Sequence, residues 1–153
     1  MAQILITGLI CEDIRAEKSG QETLVGIFPD NIRVPEFPGA IPKLSIYVRI
    51  HIDPAFDPGP IKIRLIVPSG EEHDLSELSE EFIKHVRDQA LAKGAPIAGI
   101  ISRATISPLQ IGSPGRLIVV ANVQGKEFPC AALNFEKTES EDVTSSSAPT
   151  QPS

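Results

Sequence analysis

A cysteine and two carboxylates stand side by side near the start of the chain, in the stretch LICEDIRAEKSGQETLVGIF (residues 9–28). Cys11, Glu12 and Asp13 are residue types that nucleophilic and acid–base catalysis use, so this run could form part of a reactive site. A reactive cysteine needs positively charged surroundings that favour the thiolate, and its next two neighbours here are acids. We therefore interpret Cys11 as a buried residue at the end of a β-strand, and we assign no catalytic residue.

Acidic residues in loops could instead bind a divalent cation. Asp53 and Asp57 lie in the loop HIDPAFDPGP (residues 51–60), and Asp30 could join them if the fold brings the two loops together. Calcium is bound by several hard oxygen atoms gathered from loops. The simpler alternative is that Asp-Pro pairs form ordinary turns, in which the carboxylate accepts hydrogen bonds from nearby backbone amides. The acids of a small-ligand or hydrolytic site would be Glu12, Asp13, Asp53 and Asp57.

No other pattern in the sequence indicates catalysis or a cofactor. His51, His73 and His85 are not spaced as metal ligands, and neither Cys11 nor Cys130 has a second ligand close in sequence. The chain has no G-x-S-x-G motif, no glycine-rich phosphate loop and no H-E-x-x-H motif. We therefore expect no cofactor, and we expect both cysteines to be reduced.

Charge and composition narrow the choice of partner. The 153 residues carry a net charge of -6, and the 14 lysine and arginine residues are scattered along the chain. Nucleic acids and anionic membranes are bound mainly through clustered basic residues, so neither is an expected partner. The N-terminus does not resemble a signal peptide, because no Lys or Arg precedes its apolar stretch, and we expect a cytoplasmic protein.

The elements that would position these residues are mainly β-strands. Apolar and polar side chains alternate strictly in LSIYVRIHID (44–53), and the same period recurs at 61–67 and 116–123. Less regular β-branched runs are bounded by turn residues. These runs cover residues 3–11, 22–34, 98–111 and 127–136. Seven antiparallel strands indicate an all-β, two-sheet sandwich of immunoglobulin-like form, with a barrel as the alternative.

One segment has a helical period, and another has too few apolar residues to fold. Residues 75–93 place Leu75, Leu78, Phe82, Val86 and Ala90 three and four positions apart, and Asp74 is the predicted N-cap. This amphipathic helix could pack on the core or provide a docking surface. Residues 138–153 are polar and acidic, so we predict a disordered tail after a single domain of residues 1–137.

Four features together resemble a family of small, uncharacterised bacterial proteins. They are the Cys-Glu-Asp run, the G-x-F of the next strand (26–28), the connector VPEFP (34–38) and the SPG turn (113–115). The resemblance covers most of residues 4–135. It implies a compact β domain of unknown function and adds no catalytic residue.

The leading functional hypothesis is a non-enzymatic protein-interaction module. The connector FPDNIRVPEFPGAIPKL (28–44) contains five prolines, which prevent full pairing with a neighbouring strand. Phe37 and Ile41 are its candidate exposed contacts. A partner protein could dock there or add along an edge strand, and self-association through a sheet edge is a further possibility.

Overall fold

The computed structural model describes residues 3–139, which form eleven strands and one α-helix. The first six strands are β1 (Ile4–Ala16), β2 (Glu22–Ile27), β3 (Asn31–Val34), β4 (Gly39–Ile41), β5 (Leu44–Ile52) and β6 (Ile61–Ile66). The remaining elements are β7 (Glu72–Leu78), α1 (Glu80–Ala92), β8 (Ala98–Ile106), β9 (Leu109–Ile111), β10 (Gly115–Val123) and β11 (Lys126–Lys137).

The strands form two large sheets and one small one. The four-stranded sheet has the order β2-β1-β5-β8, the five-stranded sheet has the order β3-β11-β10-β6-β7, and β4 pairs with β9. All pairs are antiparallel except β3 with β11, which is parallel. The prediction of a mostly β, mainly antiparallel fold with one helix is therefore confirmed, although the third sheet was not predicted.

The inward side chains of both large sheets join in one hydrophobic core. Strand β5 buries every second residue, as its alternation predicts, and Ile50 and Ile52 are fully buried. Leu65 of β6 and Leu117 of β10 enter the same core from the other sheet. Burial of one such side chain contributes about 1.5–3 kcal/mol, so alternation on both sheets fixes which face of each strand turns inward.

Two of the seven predicted strands are each divided. Residues 22–34 form β2 and β3, which belong to different sheets, and residues 98–111 form β8 and β9. Both divisions occur at proline, since Pro29 follows β2 and Pro108 follows β8. Proline has no backbone donor for a ladder, so pairing stops there and the chain can change sheets. The connector also contains the short strand β4, which was not predicted because it lies between two prolines, Pro38 and Pro42.

The predicted helix over residues 75–93 begins later than expected. Residues up to Leu78 belong to β7, and Ser79 caps the helix by accepting a hydrogen bond from the Phe82 amide at 3.2 Å. The register between β6 and β7 shifts at Ile63 and Arg64, so Leu75 lies in a bulge. The bulge brings Leu75 and Leu78 both against the core, and that three-residue spacing imitated a helix.

Of the helix residues whose spacing predicted an inward face, Val86 and Ala90 pack on the core, whereas Phe82 does not. Ile83 and Ala90 are buried, Val86 is half-buried against the same core, and Phe82 is exposed. Gly94 follows the helix with φ of 67°, as its predicted place after the C-terminus requires. Ile83, Val86 and Ala90 therefore form the inward stripe of α1.

Most of the predicted disordered tail (residues 138–153) lies outside the described residues, which end at Glu139. Within the described part of the chain, no helix has the length and apolar character needed to cross a membrane.

The position of the helix cap can be tested by two alanine substitutions. Ser79→Ala removes the acceptor for the Phe82 amide and should lower the free energy of unfolding by about 1 kcal/mol. Asp74, the cap predicted from sequence, is an exposed residue of β7, and its Oδ2 atom lies 3.6 Å from the Lys62 amine. Asp74→Ala should therefore change the free energy of unfolding by less than about 0.5 kcal/mol. Urea unfolding of both variants measures the difference, and a larger loss for Asp74→Ala would contradict this cap.

Candidate functional site

A cavity of about 600 Å³ lies between the β1–β2 hairpin and the connector that leads from β2 to β5. We call this cavity the hairpin cleft. Its apolar lining consists mainly of half-buried side chains, namely Val25, Phe28, Ile32, Val34 and Ile41. Its charged lining consists of Glu12, Asp13, Arg15, Arg33 and Lys43. The cleft therefore combines apolar area with charge, as binding sites for ligands of mixed character do.

The charged lining has an excess of positive charge. Three cations and two carboxylates give it a net charge of +1, whereas the whole chain carries -6. One carboxylate is already paired, since the Lys43 amine lies 2.6 Å from Asp13 Oδ1 and Arg15 Nε lies 3.6 Å from Asp13 Oδ2. The hydrogen bond from Lys43 is the main reason why the pKa of Asp13 is lowered. Asp13 thus stays ionised and balances part of the positive charge.

Glu12 takes its position from a close contact with Gly26. A Cβ atom on Gly26 would lie 2.9 Å from Glu12 Cδ, and Gly26 has φ of 68°, which favours glycine. Gly26, the first residue of the G-x-F motif, therefore leaves room for the Glu12 side chain on the neighbouring strand. The first two sequence features of the family resemblance meet at this point.

The Cys-Glu-Asp run lies within β1 and not at the end of a strand as predicted. Cys11 pairs with Ser45 of β5 on one side and with Ile27 of β2 on the other, so β2 carries the pairing onward to Ala16. The Cys11 thiol is fully buried and donates to the Asp13 carbonyl at 3.4 Å. Burial is the main cause of its raised pKa, and the nearby Asp13 carboxylate also raises it. These surroundings favour the thiol over the reactive thiolate.

Cys130 has no reactive surroundings either. Its thiol is a donor to the Val119 carbonyl at 3.3 Å, and burial raises the pKa of Cys130 to about 11. Both cysteines are free, as the sequence predicted.

The candidate contacts Phe37 and Ile41 are less exposed than expected. Both side chains are half-buried and pack against the core. Ile41 also lines the hairpin cleft, whereas Phe37 does not. Strand β4 explains the difference from the expectation, since the pairing of Ile41 with Leu109 fixes the connector to β9. Part of the exposed surface of the connector, including Ala40 and Lys43, is the cleft wall.

The acidic residues of the alternative site do not meet. The Asp53 amide bonds to the Gln3 carbonyl at one end of β1, while Phe28, two residues before Asp30, bonds to the Ile10 carbonyl. At about 3.3 Å per residue along the strand, the Gln3 and Ile10 carbonyls are roughly 23 Å apart. Glu12 and Asp13 lie beyond the Ile10 end, so they are also far from Asp53.

Asp53 and Asp57 act as turn formers. Asp53 Oδ1 accepts from the Ala55 amide and Asp57 Oδ1 from the Gly59 amide, each at 3.0 Å. Asp57 also lies 3.5 Å from the Arg87 guanidinium. Among residues 3–139, no group of three or more His, Cys, Asp or Glu side chains could hold a metal ion. The bound-cation reading of these loops therefore has no support in the arrangement of their side chains.

Comparison with known proteins identifies the family. A family model described as a family of unknown function, DUF6941, matches residues 7–134. The chain belongs to the DUF6941 family. The matched residues include the complete lining of the hairpin cleft, from Glu12 to Lys43, and end before Glu139. No curated protein matches the sequence.

One similar solved structure is the alkylpurine DNA glycosylase AlkC of Pseudomonas fluorescens bound to DNA containing an abasic-site analogue. The two chains are 14% identical with a TM-score of 0.42, over 88% of this chain. The DUF6941 chain covers 31% of the length of that protein. A likeness at this level supports no conclusion about activity.

Sequence reasoning missed most of the cleft. It named Glu12, Asp13 and Ile41 but not Phe28, Ile32 or Lys43, because residues 22–34 were predicted to form a single strand and the connector 28–44 to pair incompletely. The alternation in NIRV, with Ile32 and Arg33 on opposite sides of a strand, was the available signal. Because β3 spans four residues, this alternation is too short to show that the predicted strand 22–34 divides and changes sheets.

The ion pair of Asp13 makes a pH prediction. Because the pKa of Asp13 is lowered in the folded chain, its contribution to stability is present above the unfolded pKa of about 3.9 and is lost as the pH falls through the folded value. Asp13→Asn should therefore be less stable than the wild type at pH 7, and the difference should shrink toward zero at acidic pH. Urea unfolding at pH 7 and pH 3 measures it, with Lys43→Met as the partner control. If the stability difference between the wild type and Asp13→Asn is the same at pH 7 and pH 3, the ion pair of Asp13 does not stabilise the folded chain as predicted.

The tight packing of the cleft wall makes a second prediction. A Cβ atom on Gly39 would lie 3.0 Å from Val34 Cγ1 and 3.1 Å from the Glu36 carbonyl oxygen. Since a backbone atom cannot move aside easily, Gly39→Ala should lower the free energy of unfolding by about 1–3 kcal/mol. Gly112, next to the β-pair partner of Gly39, has open space around it, so Gly112→Ala should cost little or stabilise slightly. Equal melting temperatures for the two variants would show that the wall is not tightly packed.

Proposed function

We propose that this member of the DUF6941 family is a non-enzymatic protein-interaction module whose hairpin cleft binds an extended peptide segment of a partner protein. The segment would carry apolar side chains and at least one carboxylate. The observation that carries the proposal is the combination of five half-buried apolar side chains with an excess of positive charge in one cavity. Apolar area supplies affinity, and the charge selects an acidic segment over a basic one.

Among the described residues, an edge strand of the four-stranded sheet adjoins the cleft. Strand β2 is the last strand of the four-stranded sheet and pairs with β1 on one side. Val25 belongs to this strand and lines the cleft. An extended peptide in the cleft could therefore hydrogen-bond to the backbone of β2 while its side chains enter the apolar lining, which is the known mode of strand addition. The connector would form the opposite wall through Phe28, Ile32, Val34 and Ile41, and Phe37 would not contact the peptide.

The other expectations from sequence are proposals that accompany this one. The partner would be a protein and not a nucleic acid or a membrane, and the protein would act in the cytoplasm. The two large sheets would correspond to an immunoglobulin-like sandwich. Self-association is the alternative partnership, and the exposed side chains of Leu5, Leu9 and Ile27 on the outer face of the four-stranded sheet favour it.

A peptide selection tests the proposed function. Random ten-residue peptides displayed on phage would be selected on the full chain, and the affinity of the enriched peptides measured by fluorescence anisotropy. We expect acidic peptides with apolar residues. Ala40→Trp, which places an indole at an exposed position in the cleft lining, and Arg15→Glu, at a side chain with 65% exposure, should each weaken binding about tenfold or more.

The matched control is Arg116→Glu, which makes the same charge change at an exposed position of β10 outside the cleft. Its affinity should stay within about twofold of the wild type. The proposal fails if the library yields no binder, or if binders are indifferent to Ala40→Trp and Arg15→Glu. Light scattering of the same samples reports self-association. If the peptide affinity changes with the fraction of dimer, the self-association alternative is favoured.

A further inference from the structure

The described chain ends beside the hairpin cleft. Strands β3 and β11 run parallel, with Lys137 in register with Val34, and the Thr138 amide donates to the Val34 carbonyl at 3.0 Å. Val34 and the next residue, Pro35, both line the cleft. The residues that follow Thr138 therefore start at the cleft wall, whatever course they take afterwards.

The sequence that starts there has the composition that the cleft selects. Residues 139–143 read ESEDV, with three carboxylates, no basic residue and one apolar side chain, Val143. We call residues 139–143 the acidic segment. Opposite charge lies close by, since Arg15, Arg33 and Lys43 exceed the carboxylates of the lining by one. Charge complementarity and the starting point thus favour the same site.

The distance is also suitable. Five residues in extended conformation span at most about 17 Å, so the whole acidic segment can lie within reach of Thr138 without a free linker between them. A cavity of about 600 Å³ can hold several side chains of such a segment. A tethered segment reaches an effective concentration in the millimolar range, so even weak intrinsic binding would fill the cleft for much of the time.

We propose that the acidic segment, residues 139–143, occupies the hairpin cleft of its own chain and competes there with an external peptide. This inference rests on the proposed function, because the segment acts as an internal substitute for the partner. The competition makes the affinity for a partner adjustable. A segment with an intrinsic Kd of about 100 µM at an effective concentration of about 1 mM raises the apparent Kd of a competing peptide about tenfold.

Nuclear magnetic resonance of the full chain tests the inference. The variant E139Q/E141Q/D142N removes the three charges of the acidic segment and keeps its length. Relative to the wild type, we expect shifts in the amides of Arg15 and Ala40, which line the cleft but are distant in sequence from the tail. The amides of Asp53 and Ala55, at the other end of β1, should not shift. The matched control is T144A/S145A/S146A, which changes three residues just beyond the segment without changing charge.

A charge exchange makes the test specific. Arg15→Glu should give the same cleft shifts as the neutralised segment, and combining it with E139K/E141K/D142K should restore the wild-type pattern. Both effects should weaken as salt rises above about 0.15 M, since the charges are near the surface. The inference would be overturned if the cleft amides had the same chemical shifts in E139Q/E141Q/D142N as in the wild type. Shifts that grow with protein concentration would also overturn it, because they would show a segment from a second copy.

The peptide affinity separates this inference from the proposed function. If E139Q/E141Q/D142N binds the selected peptides about tenfold more tightly than the wild type, both stand. If peptides bind with equal affinity to both proteins and the cleft amides do not respond, the self-binding inference fails and the proposed function stands. If the cleft amides respond but no peptide binds even the neutralised variant, the inference stands and the proposed function fails.

Discussion

The long strand β1 changes its pairing partner at Cys11, and the hairpin that lines the cleft begins at that change. Residues Ile4–Cys11 pair with β5, and from Cys11 to Ala16 the strand pairs with β2. The first half therefore belongs to the core of the four-stranded sheet, and the second half forms a hairpin that extends past β5. The hairpin cleft lies between this hairpin and the connector that leads from β2 to β5.

A small polar layer stabilises the point where the partner changes. Ser45 is fully buried, and its hydroxyl lies 3.3 Å from the Glu12 carbonyl oxygen and 3.1 Å from the Thr105 hydroxyl. A buried hydroxyl without a partner would cost about 1–3 kcal/mol, so these contacts hold Glu12, Ser45 and Thr105 in register. Cys11 fills the adjacent buried space. The Cys-Glu-Asp run therefore has a structural role first: its cysteine packs, and its two acids face the cleft.

Sequence reasoning succeeded where a strand has antiparallel neighbours and one buried face. The alternation of β5, β6 and β10 correctly identified the alternating core residues of those strands, because burial of one face imposes a period of two, but it did not predict that Ser45 and Val120 are also buried. It failed where long-range pairing overrides the local pattern. The bulge at Leu75 gave β7 a helical spacing. Residues 31–34 were predicted as one strand with residues 22–27, but they form β3 and pair in parallel with β11, about 100 residues away along the chain. No local pattern reports a partner at that separation, so the cleft that β3 lines could not be predicted.

The pairing of β3 with β11 also links the cleft to the end of the described chain. Strand β3 has four residues and one strand neighbour in the part of the chain that the structure describes, so its pairing is short and at a sheet edge. Short edge pairings open at a lower free energy than the core does. Any occupant that packs on Ile32 and Val34 must stabilise the closed form of this pairing, since it binds that form and not the open one. By the same linkage, a stable β3–β11 pairing favours binding in the cleft. Binding in the cleft should in turn make residues 134–138 more ordered.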